Sequence, residues 1–260
     1  MIDSTALYLE PQFLAVAIPA VILTGLSKGG FGGGIGMLAT PLIALTVSPV
    51  KAAAIMLPVL IMMDMVGLYN YRHSCNWSVI RHMLPAALVG IGIGWLTAHW
   101  VSEDWVRIMV GLVAISFAVI QFRRDLLKHA PANHSLIGGA FWGTLAGFTS
   151  FISHAGGPPF QAYALPLKMD KIIFAGTSVI FFTMVNAAKV LPYFMLGQFT
   201  SDNLHISLAL VPVAVIGVLI GVWAVKKVSQ KFFYNVTYVA MLVIGTKLLW
   251  DGREAIQNLL

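Results

Sequence analysis

The chain has 260 residues, of which 58% are hydrophobic and 10% charged, against about 45–50% apolar and about 25% charged for soluble domains. With 16 basic and 10 acidic side chains it cannot cover the surface of so apolar a soluble core, so the composition defines a polytopic membrane protein. Cys75 is the single cysteine, which excludes an intrachain disulfide framework, and a net charge of +6 is read as cytoplasmic loops rather than a nucleic-acid surface.

The N-terminal stretch holds Asp3 and Glu10 and no basic residue before Lys28. A signal peptide opens on a basic region, so the first apolar run is expected to stay in the mature protein. Apolar runs follow at 11–27, 31–48, 52–71, 83–98, 104–122, 136–153, 158–167, 172–199, 204–225 and 232–250. A helix needs about 17–25 residues to cross a bilayer. The run 158–167 is too short for that, and 11–27 and 31–48 barely suffice. Connections after the third, fifth, seventh and ninth runs collect Arg72, Arg81, Arg123, Arg124, Lys128, Lys168, Lys171, Lys226, Lys227 and Lys231. The other side holds Lys51, Arg107 and Arg253 with most of the acids. This asymmetry predicts a multi-pass protein with both termini periplasmic.

The two halves resemble each other. Leu84 to Gly94 matches Val211 to Gly221, with Pro85, Gly90 and Gly94 falling on Pro212, Gly217 and Gly221. Gly25 aligns with Gly147, Gly33-Gly34 with Gly156-Gly157, and Asp64 with Asn186. Five runs per half is an odd number, so the second half is expected to be inverted. The predicted fold is all-α: two inverted repeats of about five helical segments, residues 1–128 and 129–260, with broken or re-entrant helices near the midplane.

Two breaks interrupt the runs. Residues 29–36 contain six glycines, each costing a helix about 1 kcal/mol against Ala. Their spacing fits no nucleotide-binding loop. The second break is Ser153-His-Ala-Gly-Gly-Pro-Pro159. Proline is favoured at a helix start, so new helices are expected near Gly33 and at Pro158. Helix N-termini attract anions through free N–H groups and the macrodipole. Lys28 and His154 flank the two breaks. Lys28 also fits a side chain reaching for the interface, and His154 a satisfied helix-end histidine.

Asp64, Asn186 and Lys189 lie inside apolar runs, where charges usually pair or line a pathway. Asp64 fits a structural ion pair with Lys28 or Lys189 equally with a coupling role. Asn186 and Gln161 fit either ligand contacts or interhelical packing. Phe148, Phe151, Phe160 and Tyr163 crowd the second break as core residues or as a wall for an organic anion. Ser150, Ser153 and His154 supply the residue types of a nucleophile but no identifiable triad partner.

The pattern Gly25-Leu-Ser-Lys-Gly-Gly-Phe-Gly-Gly-Gly-Ile-Gly36 followed by Pro41, with a degenerate copy from Gly147 to Pro158, resembles the sulfite exporter TauE/SafE family, also called the toluene sulfonate uptake permease family. The resemblance runs over nearly the whole chain. It implies a secondary transporter of the bacterial inner membrane for sulfite, sulfonates or related anions. The break residues from Lys28 to Gly34 and from His154 to Pro158 would carry that function.

The expected substrate contacts are Lys28, Gly32, Gly33, Gly34, His154, Gly156, Gly157, Gln161 and Asn186, with Asp64 and Lys189 as coupling or ion-pair residues. The expected partners are a small anion, the lipid bilayer and a coupling proton; no cofactor, metal or enzymatic activity is expected. A glycine-lined anion channel and an intramembrane hydrolase are the alternative readings.

Overall fold

A computed structural model of the chain describes residues 10–32, 39–98, 100–126 and 130–253. Its elements are α1 (Pro11–Lys28), α2 (Ala39–Ile43), α3 (Pro49–Tyr71), α4 (Trp77–Thr97), α5 (Glu103–Leu126), α6 (Leu136–Ser153), α7 (Gly157–Ala164), α8 (Lys171–Met195), α9 (Ser201–Lys227) and α10 (Gln230–Asp251). A 3₁₀ turn, Leu165–Leu167, prolongs α7. No strand occurs among the described residues. Among the described residues eight helices are long and apolar enough to cross a membrane, α2 and α7 being the exceptions. At 1.5 Å per residue, α7 reaches only about 12 Å. The chain is thus an all-helical, multi-pass membrane protein.

Polar residues in the connections start the helices. Ser48, Asn76, Ser135, Asp170, Thr200 and Ser229 each accept a hydrogen bond from an N–H of the helix that follows, a contact worth about 1 kcal/mol. Between the helices, glycines set the distance of approach. A Cβ at Gly147 would drive into the Ala87 carbonyl oxygen, and one at Gly143 into that of Met83. Gly25 lies on Gly217 and Gly29 on Gly221. Backbones can come this close only where side chains are missing.

These contacts also fix direction. Residue numbers rise together along α4 and α6 and along α1 and α9, so both pairs are parallel. Gly67 meets Val179 while Asp64 meets Asn186, making α3 and α8 antiparallel. Gly111 meets Gly245 while Gly252 meets Ile108, making α5 and α10 antiparallel.

The ends of α1, α3 and α9 and the start of α8 share one face. There the Tyr71 hydroxyl donates to the Gly29 carbonyl at 2.7 Å, and the Lys171 ammonium donates to the Lys226 and Val228 carbonyls. Arg72, Arg81, Arg123, Lys168, Lys171, Lys226, Lys227 and Lys231 gather at this face. The opposite face holds the starts of α1, α3 and α9 and the end of α10.

The short second run contracts to α2, and the helix start expected near Gly33 lies outside the described residues. The break at 153–159 behaves as its prolines require, with α7 beginning at Gly157. All eight residues of α7 are buried, so this irregular backbone is enclosed by protein, as the bilayer interior demands.

Candidate functional site: a cationic pocket among four helices

Four helices supply side chains one turn apart to a small central pocket. Thr24 and Lys28 come from α1, Met56 and Leu60 from α3, Ser150 and His154 from the end of α6, and Phe182, Asn186 and Lys189 from α8. Thr40 of α2 and Gly157 of α7 complete the wall. Lys28, Lys189 and His154 bring basic nitrogens to it, and among the described lining residues no acid faces them.

The one buried acid among the described residues stands behind the wall. Asp64 receives the Lys28 ammonium on Oδ1 and the Asn186 amide on Oδ2, the latter at 2.6 Å. Both oxygens are occupied by groups that can only donate. Paired with Asp64, Lys28 also lies 5.7 Å from the Phe182 ring centroid. The sequence left two partners open for Asp64; the structure selects Lys28.

Lys189 is completely buried. Its ammonium nitrogen lies 3.1 Å from the Ser150 carbonyl, 3.1 Å from Ser150 Oγ and 2.8 Å from His154 Nδ1. His154 Nε2 is 3.2 Å from the Ala53 carbonyl. A carbonyl can only accept, so Nε2 carries the proton and Nδ1 is left to accept from Lys189. Among the described residues no carboxylate forms an ion pair with Lys189. A charge at this depth costs about 2.5–3.5 kcal/mol on insertion scales unless compensated.

His154 holds this position at a backbone cost. It caps α6 with φ 54° and ψ 24°, in the left-handed region, which costs a side chain with a Cβ about 1–2 kcal/mol. Its N–H donates to the Ser150 carbonyl and that of Ala155 to the Thr149 carbonyl, closing the helix end. Beyond it, the Gly156 and Gly157 N–H groups donate to nothing among the described residues. The Phe160 N–H is used by the Gly156 carbonyl, and Pro158 and Pro159 have none. Two free N–H groups thus remain at the start of α7, and Gly157 reaches the pocket wall.

The expected contacts divide by location. Lys28, His154, Gly157, Asn186 and Lys189 share the pocket wall, and Asp64 braces two of them from behind. Gly156 is one residue back. Gln161 and Gly32 lie elsewhere: Gln161 Nε2 donates to the Phe31 and Gly32 carbonyls at 3.2 and 3.1 Å, tying α7 to the first break. Gly32 has φ 75° with the Phe174 ring against it. Gly33 and Gly34 lie outside the described residues. Thr24, Thr40, Met56, Leu60 and Phe182 were not anticipated. Thr24 and Phe182 lie one turn from Lys28 and Asn186 on the same helix faces, and Leu60 and Met56 one and two turns before Asp64; Thr40 carried no such signal.

The aromatics of the second break form core. Phe160 packs on Phe174, Phe181 and Phe182, and the Tyr163 hydroxyl donates to the Ser135 carbonyl. With Phe31 stacked on Phe233, they fill the space between the pocket and the basic face. On the other side lies a second cavity lined by Val50, Ala53, Phe151, Tyr193 and Gln198. His154, on the wall of the central pocket, contacts the carbonyl of Ala53, on the wall of this cavity.

A multi-pass helical bundle that encloses a small cationic pocket between interrupted helices is the architecture of a membrane transporter for anions. The chain belongs to the sulfite exporter TauE/SafE family, whose pattern matches residues 17–248. No curated protein and no solved structure matches it. Family and fold together make it a membrane transporter of the sulfite and sulfur-anion kind.

Proposed function

We propose that the protein moves an organosulfonate, including aromatic sulfonates such as toluene sulfonate, or sulfite, across the bacterial inner membrane by alternating access coupled to protons. The observation that carries this reading is the pocket wall, which presents Lys28, Lys189, His154 and the Gly157 N–H and no acid among its described residues. Such a wall suits an oxyanion, and Met56, Leu60 and Phe182 suit an apolar substituent beside it.

The reading of residues 1–128 and 129–260 as inverted repeats draws support from the packing. Under the sequence alignment α3 corresponds to α8 and α5 to α10, and both pairs touch antiparallel, as partners across a two-fold axis must. The same operation turns α1·α9 into α6·α4, and both of these are parallel. The pocket lies where the halves meet. Aromatic packing lies between it and the basic face, and the His154–Ala53 contact lies towards the second cavity. These two layers are the candidate gates of a carrier, and the positive-inside pattern supports reading the basic face as cytoplasmic.

Counterflow into proteoliposomes tests the proposal. Vesicles loaded with unlabelled toluene sulfonate, sulfite or taurine should accelerate entry of the labelled anion, since a carrier exchanges across the membrane and a channel does not. Absence of trans-acceleration for all three would overturn it. Ser150 lies against Lys189, so S150A separates the hydrolase alternative: a carrier retains measurable exchange without that hydroxyl.

A further inference from the structure

We infer that the proton moved with the anion rides on the Lys189–His154 pair and not on Asp64, the only buried acid among the described residues. The inference rests on the transport reading above and specifies how its site is coupled.

Three geometric observations carry it. The first is that Asp64 is already committed as a counter-charge: Lys28 pairs with one oxygen and the Asn186 amide with the other. A proton moved onto it would leave the Lys28 ammonium uncompensated. The second is that the cradle of Lys189 fits two protonation states. Ser150 O, Ser150 Oγ and His154 Nδ1 are three acceptors around one nitrogen. An ammonium fills all three, and a neutral amine still donates to two, including the imidazole at 2.8 Å. The third is position. Lys189 and His154 both line the pocket, so an anion there lies against them and supplies the counter-charge that the described residues lack.

The titratable groups facing the pair are Lys28 from α1, Asp64 from α3 and, on α8 itself, Tyr193, whose ring is 6.1 Å from that of His154. Lys28 and Asp64 cancel. The charge of the empty site is then that of the pair, zero or plus one. A sulfonate or another monoanion enters with one negative charge and stabilises the protonated pair. The proton comes from water on the loading side and leaves to water on the other. The loaded site is neutral, and the crossing carries no net charge. A dianion would leave the loaded site negative, so the arrangement selects monoanions over sulfate.

The experiment counts protons per anion bound. Purified protein is titrated calorimetrically with toluene sulfonate in buffers of different ionisation enthalpy, so that the buffer dependence gives the proton count. Wild type should take up protons on binding. K189R, fixed as charged, and K189Q, fixed as neutral, should take up none in whatever binding remains, whereas D64N should still take up protons. Because the readout is a ratio, it is insensitive to the fraction of protein that is folded. Uptake undiminished in K189R or K189Q, or abolished in D64N alone, would overturn the inference. If neither Lys189 variant can be purified, H154Q replaces them: loss of uptake supports the pair, and uptake equal to wild type overturns it. Wild type that exchanges anion in counterflow but binds it without proton uptake would sink this inference and leave the transport reading standing. No binding and no counterflow by wild type would sink that reading itself.

Discussion

Two lysines, Lys189 fully buried and Lys28 partly so, face the same pocket and are held in opposite ways. Lys28 ends α1 against a carboxylate that is itself braced by Asn186. Lys189, in the middle of α8, touches only a carbonyl, a hydroxyl and an imidazole. The first arrangement is complete without a ligand. The second is complete only when something negative arrives. A membrane protein can keep a permanently compensated charge as structure, and it can use an uncompensated one to bind, because the missing partner is the ligand.

The largest effect expected from this contrast is on stability. D64A leaves the Lys28 ammonium buried and unpaired, and removing one member of a buried pair costs about 3–5 kcal/mol. Most of the protein should be lost from the folded, monodisperse fraction on size exclusion in detergent. The double variant K28M/D64A removes both charges and should recover much of that loss, because a buried pair can often be replaced by apolar groups without penalty. Failure of the double variant to recover would show that Asp64 contributes more than a counter-charge.

K189M should do the reverse. Two acceptors on Ser150 and one on His154 lose a donor, which costs about 1–3 kcal/mol for buried polar groups, offset by no longer burying a charge. The midpoint of thermal unfolding should move little. Anion affinity should fall by about a hundredfold, since a charge-assisted contact in a dry site contributes up to about 3 kcal/mol. If K189M unfolded as readily as D64A, the two lysines would be structural equivalents and the contrast would collapse.

Much of this was legible in the sequence, and unevenly so. Eight of the ten apolar runs became spans, while 31–48, barely long enough, contracted to α2, and the basic residues sorted by face because helix count fixes parity. Lys28, Asp64, Asn186 and Lys189 stood out as polar residues in apolar surroundings. What could not be read was the pairing. Lys28 and Lys189 are equivalent partners for Asp64 on paper, and only the parallel packing of α1 on α9 and the antiparallel packing of α3 on α8 decide between them. Gln161 stood out on the same grounds as Asn186, yet it bonds the backbone of the first break instead of facing the pocket. A buried amide satisfies backbone carbonyls as readily as a ligand, and residue type cannot tell the two apart.

The smallest expected change in stability sharpens the contrast most. His154 links Lys189 to the Ala53 carbonyl, and it sits in a left-handed conformation that a glycine would adopt freely. H154G relieves about 1–2 kcal/mol of backbone strain. It also removes the ring contacts to Lys189 and Ala53, each worth about 1 kcal/mol. The two effects nearly cancel, so the unfolding midpoint should stay close to wild type. Transport should not. Without the imidazole, Lys189 loses its closest acceptor, and the pocket wall loses its contact with Ala53 on the side of the second cavity. Concentrative uptake driven by a pH gradient should therefore fall steeply in a protein of undiminished stability. Were H154G instead strongly destabilised with transport per folded molecule intact, the strained cap would belong to the fold, and the coupling role assigned to the pair would have to rest on Lys189 alone.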